Sequence, residues 1–250
     1  MIEEPFARGP SPIHRTNPGL RIILAAIYSF SVALMHHISA LTLALLFAAG
    51  LTLLARLPLR PLLKRLGVIG ALLVITWLLV PLTHGGDPMA RLGVLSISRS
   101  GVALCLQVTL KAITIVLVFM ALVASMPIAT LGHALNRLGM PSKLVQLLLM
   151  AYRYIVVIEQ EYLRLYRAAK MRNFQPAGNL YTYRTYAYMV GMLFVRASER
   201  AERVHGAMKC RGFDGRFHSL TCYPPTQWNR GLAGAMALCN LLLIGLELAG

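Results

Sequence analysis

Four windows of this 250-residue sequence, 22–55, 66–82, 101–126 and 231–246, hold one charged residue between them, Lys111. Water does not accept apolar stretches of that length on a folded surface, whereas a bilayer core takes roughly 20 such residues per spanning helix. Composition agrees, since 57% of the residues are hydrophobic and 14% are charged, against roughly 45–50% and about 25% in a soluble domain. The sequence predicts an all-α integral membrane protein with about five transmembrane helices.

The expected spans are 20–34 and 38–54, joined tightly enough to form an antiparallel hairpin, then 67–82, 101–126 and 231–246. Between the second and third, Arg56, Arg60, Lys64 and Arg65 crowd a proline-broken turn. Basic loops stay in the cytoplasm, so this turn is placed inside and the charge-poorer loop 83–100 outside. Lys111 is expected to face the bundle or to snorkel. Segment 127–230 carries 15 Lys and Arg against 5 Asp and Glu, which marks it as cytoplasmic. The organisation is therefore 1–126, an N-terminal tail and four spans; 127–228, a cytoplasmic helical segment; and 229–250, the fifth span. The N-terminus lies in the cytoplasm and the C-terminus outside the plasma (inner) membrane.

The net charge of +16 reflects this topology and not a nucleic-acid partner. Cys105, Cys210, Cys222 and Cys239 form no CxxC pair, and the histidines His14, His36, His37, His84, His133, His205 and His218 are scattered, so no metal-ligand set is visible. No phosphate-binding loop occurs. The chain is therefore expected to be no enzyme and to bind no cofactor or metal. A self-contained secondary transporter would need broken helices around a midplane site, and an amphipathic basic segment resting on anionic lipid is the other alternative.

Within the basic segment, Gly139 and Pro141 separate a short helix, 130–138, from a long one reaching Arg172. The long helix repeats apolar residues at steps of 3 and 4: Leu144, Leu148, Ala151, Ile155, Ile158, Tyr162, Leu165 and Ala169. This spacing predicts a packing seam, with Glu159, Glu161, Arg164, Arg167 and Lys170 off it and in water. A second helix, 181–211, repeats the design with Ala187, Val190, Phe194, Ala197, Ala201, Val204 and Met208. Both seams arrive on an arginine, and A-x-x-x-R-[NG]-F occurs twice, ending Arg172-Asn173-Phe174 and Arg211-Gly212-Phe213. Asn173, Gly212 and the phenylalanines read as helix C-caps. The arginines read as docking groups, because a rigid five-donor fork suits a partner carboxylate.

These elements resemble the paired Ala-Arg-Gly-like motifs of the transmembrane T component of energy-coupling factor (ECF) transporters, of the CbiQ type. The flanks ASERAERVHGAMKCRGFDGRF, 197–217, and IHRTNPGLRIILA, 13–25, are similar to that family too, although Asn173 and Cys210 replace its usual residues. The resemblance implies a scaffold joining a substrate-binding membrane subunit to two ATP-binding-cassette ATPases, which bind ATP and Mg, with Co²⁺ or Ni²⁺ as cargo. It implies that Arg172 and Arg211, flanked by Ala169, Met171, Asn173, Cys210 and Gly212, dock on the ATPases and transmit their motion.

Overall fold

The computed structural model describes residues 13, 16–83, 88–92, 95–213, 215 and 227–249. Of the residues weighed above, His14, His84, His218 and Cys222 lie outside them. Among the described residues eight helices follow in order: α1 (Pro18–Leu34), α2 (Ile38–Leu54), α3 (Leu59–Thr83), α4 (Arg99–Leu122), α5 (Ile128–Arg137), α6 (Ser142–Met171), α7 (Leu180–Cys210) and α8 (Gln227–Ala249). A small antiparallel hairpin, β1 (Pro88–Leu92) and β2 (Leu95–Ser98), lies between α3 and α4. The protein is an all-α membrane protein. Its contacts divide the described residues into two units, one drawn from 132–220 and the other from 4–131 with 221–250.

The second unit is the membrane bundle. Stretches of α3 (Arg60–Pro81), α4 (Ser100–Leu122) and α8 (Trp228–Glu247) are long and apolar enough to cross a bilayer. Helices α1 and α2 have 17 residues each, the low end of the spanning range at roughly 25 Å. α4 packs against α1, α2 and α3, and α8 against α1 and α2. Ala40, Ala44 and Ala48 on α2 are fully buried, because between lipid-embedded helices association comes from close backbone approach over small residues. Tyr28 on α1 is also fully buried and donates to the Ala44 carbonyl at 2.8 Å. Most of α3 faces outward, with Val68, Leu72, Val74, Leu78 and Leu79 exposed.

Polar contacts tie both ends of the bundle. At one end, Asn17 caps α1 by accepting from the Gly19 amide at 3.1 Å, and its own amide donates to Asn229 on α8 at 2.9 Å. Arg21, 2% exposed, donates to the Ser125 hydroxyl just past α4. At the other end, Glu247 on α8 accepts from the His36 and His37 amides at 2.7 and 3.2 Å. The chain between α1 and α2 would otherwise leave these donors to water. Lys111 reaches the Ala33 carbonyl at 2.8 Å, and Gln107 the His36 carbonyl at 2.6 Å. Lys111 thus faces the bundle, satisfying a carbonyl at the end of α1 that lacks a helical partner.

Helix α3 starts eight residues earlier than the expected span 67–82, so Arg60, Lys64 and Arg65 ride on its first turns instead of in a turn. Pro61 permits this, because a proline in the first helical turn removes an amide that has no helical acceptor. The loop between α3 and α4 carries the hairpin where irregular chain was expected.

Candidate docking site

In the unit formed by 132–220, α6 and α7 lie antiparallel. Glu161 on α6 meets Arg196 on α7, Tyr154 shares a cleft of about 170 Å³ with Ala201, and Phe174 after α6 packs on Tyr181 and Tyr186 near the start of α7. At Gly132 on α5, a Cβ would lie 2.8 Å from Leu149 on α6, so glycine is required for that approach.

Glu161 is buried, 8% exposed, contrary to the expectation that it meets water. Its carboxylate accepts from Arg196 and, at 3.2 Å, from Arg164. The Arg196 hydrogen bond, helped by the charges of Arg164, Arg196 and Arg200, holds its pKa below the ordinary carboxylate value. A carboxylate at this depth is retained because its charge is matched. Tyr162 and Tyr166 stack with centroids 6.1 Å apart, and Lys170 lies 5.3 Å from the centre of the Tyr166 ring.

The predicted seam only partly coincides with this contact. Tyr162, Leu165, Ala197, Val204 and Met208 are half-buried, but Phe194 is 77% exposed, and Val190, Ala201, Leu144, Leu148, Ala151, Ile155 and Ile158 are exposed as well. The face of α7 that turns inward over its first half runs through Thr182, Tyr186, Met189 and Leu193. It is displaced by one residue from the sequence stripe, in a part of α7 where apolar and aromatic residues from Tyr186 to Val195 lie on both sides of that stripe. The 3-4 spacing there does not select a face.

Both candidate arginines stand at the C-cap positions of their helices. After Arg172, Asn173 takes a left-handed φ of 60°, its amide donates to the Lys170 carbonyl at 3.0 Å, and the Phe174 amide donates to Ala169 at 3.1 Å. After Arg211, Gly212 has φ 74°, and its amide and that of Phe213 bond Lys209 and Met208 at 3.0 and 3.1 Å. Each pair of bonds is a Schellman cap. Helix α5 ends in the same way, with Gly139 at φ 98° and the amides of Gly139 and Met140 bonded to Asn136 and Leu135 at 3.1 Å. There the C-cap residue is Leu138, so the cap geometry does not itself call for arginine.

Arg172 and Arg211 are exposed, as are Met171 (89%), Asn173, Cys210 and Gly212, while Ala169 is half-buried. Neither guanidinium forms an ion pair with a described residue. Phe174 is buried between Tyr181 and Tyr186, its ring meeting Tyr186 edge-on at 5.6 Å. Arg172 therefore sits beside the start of the 31-residue α7, whose far end Arg211 caps. At 1.5 Å per residue the two motifs stand roughly 40 Å apart. The arrangement presents two separate, exposed cationic points at opposite ends of α7. Among the described residues no three His, Cys, Asp or Glu side chains converge on a metal-sized site.

The apolar helical bundle, and a second helical unit with two arginine-bearing caps, define a polytopic helical membrane protein. Residues 9–221 match the family described as CbiQ, cobalt transport protein, and the chain belongs to that family. It is 26% identical over 226 residues to the energy-coupling factor transporter transmembrane protein EcfT of Bacillus subtilis (strain 168), covering 86% of this chain and 85% of that protein. The EcfT of Brevibacillus brevis is 24% identical over 256 residues, covering 96% and 95%. That of Limosilactobacillus fermentum is 29% identical over 259 residues, covering 96% and 93%.

Proposed function

We propose that this chain is the transmembrane coupling subunit of an ECF-type importer. It joins a substrate-binding membrane subunit to two ATP-binding-cassette ATPases, which bind and hydrolyse ATP with Mg, and its cargo is Co²⁺ or Ni²⁺. Arg172 and Arg211 each occupy one ATPase, and the α6–α7 hairpin carries the ATPases' motion to the bundle. The observation that carries this reading is the comparison of the three caps. Identical backbone geometry is built with leucine after α5 and with an exposed arginine after α6 and α7, so the arginines serve something other than the cap. Names and family likeness point the same way: the relatives are transmembrane components of energy-coupling factor transporters, and the family is one of cobalt transport.

The test is co-expression with the candidate ATPases and substrate-binding subunit, comparing Arg172→Glu, Arg211→Glu and the exposed Arg184→Glu. Losing a charge-assisted contact that is desolvated on docking costs about 2–5 kcal/mol. The two motif variants are expected to release ATPase or to hydrolyse ATP without uptake, while Arg184→Glu assembles and transports. Equal mild loss in all three would assign the basic surface to lipid electrostatics and overturn the docking role.

A further inference from the structure

The membrane bundle carries a groove of about 530 Å³ between α2 and α8, lined by Leu46, Phe47, Gly50, Leu54, Trp228 and Gly231 among others. Gly50 and Gly231 open it, since a Cβ added at either would meet no atom within 4 Å. Leu46, Leu54 and Trp228 are exposed along its mouth, so it faces whatever surrounds the bundle. Water is a poor occupant, because a buried water needs two to four polar partners. The one lining hydroxyl, Thr16, already donates to the Ile13 carbonyl at 2.7 Å. Leaving the groove empty forfeits dispersion contacts along both walls. A whole helix, about 10–12 Å across, would cover such a groove without entering it.

The dimensions suit one acyl chain. From Leu46 to Leu54 the helix rises roughly 12 Å, close to the ~15 Å of hydrocarbon in a single leaflet, half of the bilayer core. The groove lies toward the α2 end that leads into Arg56, Arg60, Lys64 and Arg65, and toward the start of α8, where exposed Arg230 follows Trp228. Basic residues beside an apolar interhelical slot favour anionic headgroups, and a tryptophan suits the interface between headgroup and chain. We propose that this groove is a binding site for one chain of an anionic phospholipid, in the leaflet on the side of the basic turn. The seated chain completes the packing between α2 and α8.

Native mass spectrometry of the full-length chain in mild detergent tests this, with phosphatidylglycerol and phosphatidylcholine supplied in equal amounts. Wild type is expected to retain one phosphatidylglycerol in preference to phosphatidylcholine. Gly50→Leu/Gly231→Leu, whose side chains enter open space, fills the groove and should cut that adduct about tenfold or more, the loss of roughly two buried methylenes. Thermal stability without added lipid should be unchanged or higher in this variant, while the stabilisation that added phosphatidylglycerol gives wild type is lost. Arg56→Gln should reduce the preference between the lipids. Equal retention by wild type and the filled variant, equal occupancy by the two lipids, or loss of a co-purifying membrane protein in place of lipid would overturn the proposal.

Discussion

Arg196 on α7 donates to Glu161 on α6, joining the two long helices through a carboxylate that is buried in their contact. Because Arg164 and Arg200 add their charges to the same carboxylate, it holds a cationic cluster together where α6 and α7 pass. This pair lies at the contact beside Val157, Leu193 and Ala197.

Replacing one member strands the other. Arg196→Met leaves Glu161 with the hydrogen bond from Arg164 and the more distant charge of Arg200, and Glu161→Leu leaves three arginines without their shared carboxylate. The single variants are expected to lower the thermal unfolding midpoint. Arg196→Met/Glu161→Leu should be no less stable than the worse single, because each change removes the other's penalty. Strict additivity of the shifts in a detergent thermal-shift series would show that the pair is not coupled.

The same carboxylate sets an acid limit. Its pKa in the folded hairpin lies below its ordinary value of 4.5, so the stabilisation is fully present above that value and is lost as pH falls through the lower folded one. Hairpin protection, followed by hydrogen exchange of the α6 and α7 amides, should be flat from neutrality to about pH 5 and decline below it. Glu161→Gln should lack this Glu161-linked decline. An identical acid profile in that variant would refute the assignment.

Glu247 holds the turn between α1 and α2 from a distance of more than two hundred residues in sequence. Glu247→Leu removes the acceptor for two amides and should cost about 1–3 kcal/mol. Glu247→Gln keeps one acceptor oxygen and should cost less. Thermal midpoints in detergent decide the order, and equal losses would mean that the carboxylate merely packs there.

Topology is open to cysteine labelling in a background lacking the natural thiols. A cysteine at Ser142, at the start of α6, should react from the cytoplasmic side, and one at Ser96, on β2, from the outer side. The reverse pattern would invert the orientation assigned from the basic residues.

Most of the bundle was legible because a bilayer admits few alternatives: the expected span 38–54 is α2 to the residue, and the other spans differ from their helices mainly at the ends. The ends were harder, since Arg60, Lys64 and Arg65 look like a loop until the helix that carries them is seen. Caps were visible from Asn173 and Gly212, because few residues accept a left-handed backbone. What stayed hidden depended on pairs remote in sequence. Nothing local marks Glu161 as buried, Glu247 as an acceptor for the α1–α2 turn, or Arg21 as a core residue beside Ser125. Along α7 from Tyr186 to Val195, apolar and aromatic residues on every side left periodicity without a direction.

Because Arg211 is carried by an unbroken helix from the point where Phe174 braces it, its bearing relative to Arg172 is a matter of rotational phase as well as reach. Each residue inserted in the second half of α7 would swing Arg211 by about 100° while advancing it only about 1.5 Å. Seven inserted residues, close to two full turns, would restore its heading and lengthen the span by roughly 10 Å. The hairpin is thus keyed like a camshaft, tolerant of small changes in length and intolerant of changes in angle. Under the docking proposed for Arg172 and Arg211, the distance between them can change along this helix, with their headings kept, only in steps of whole turns.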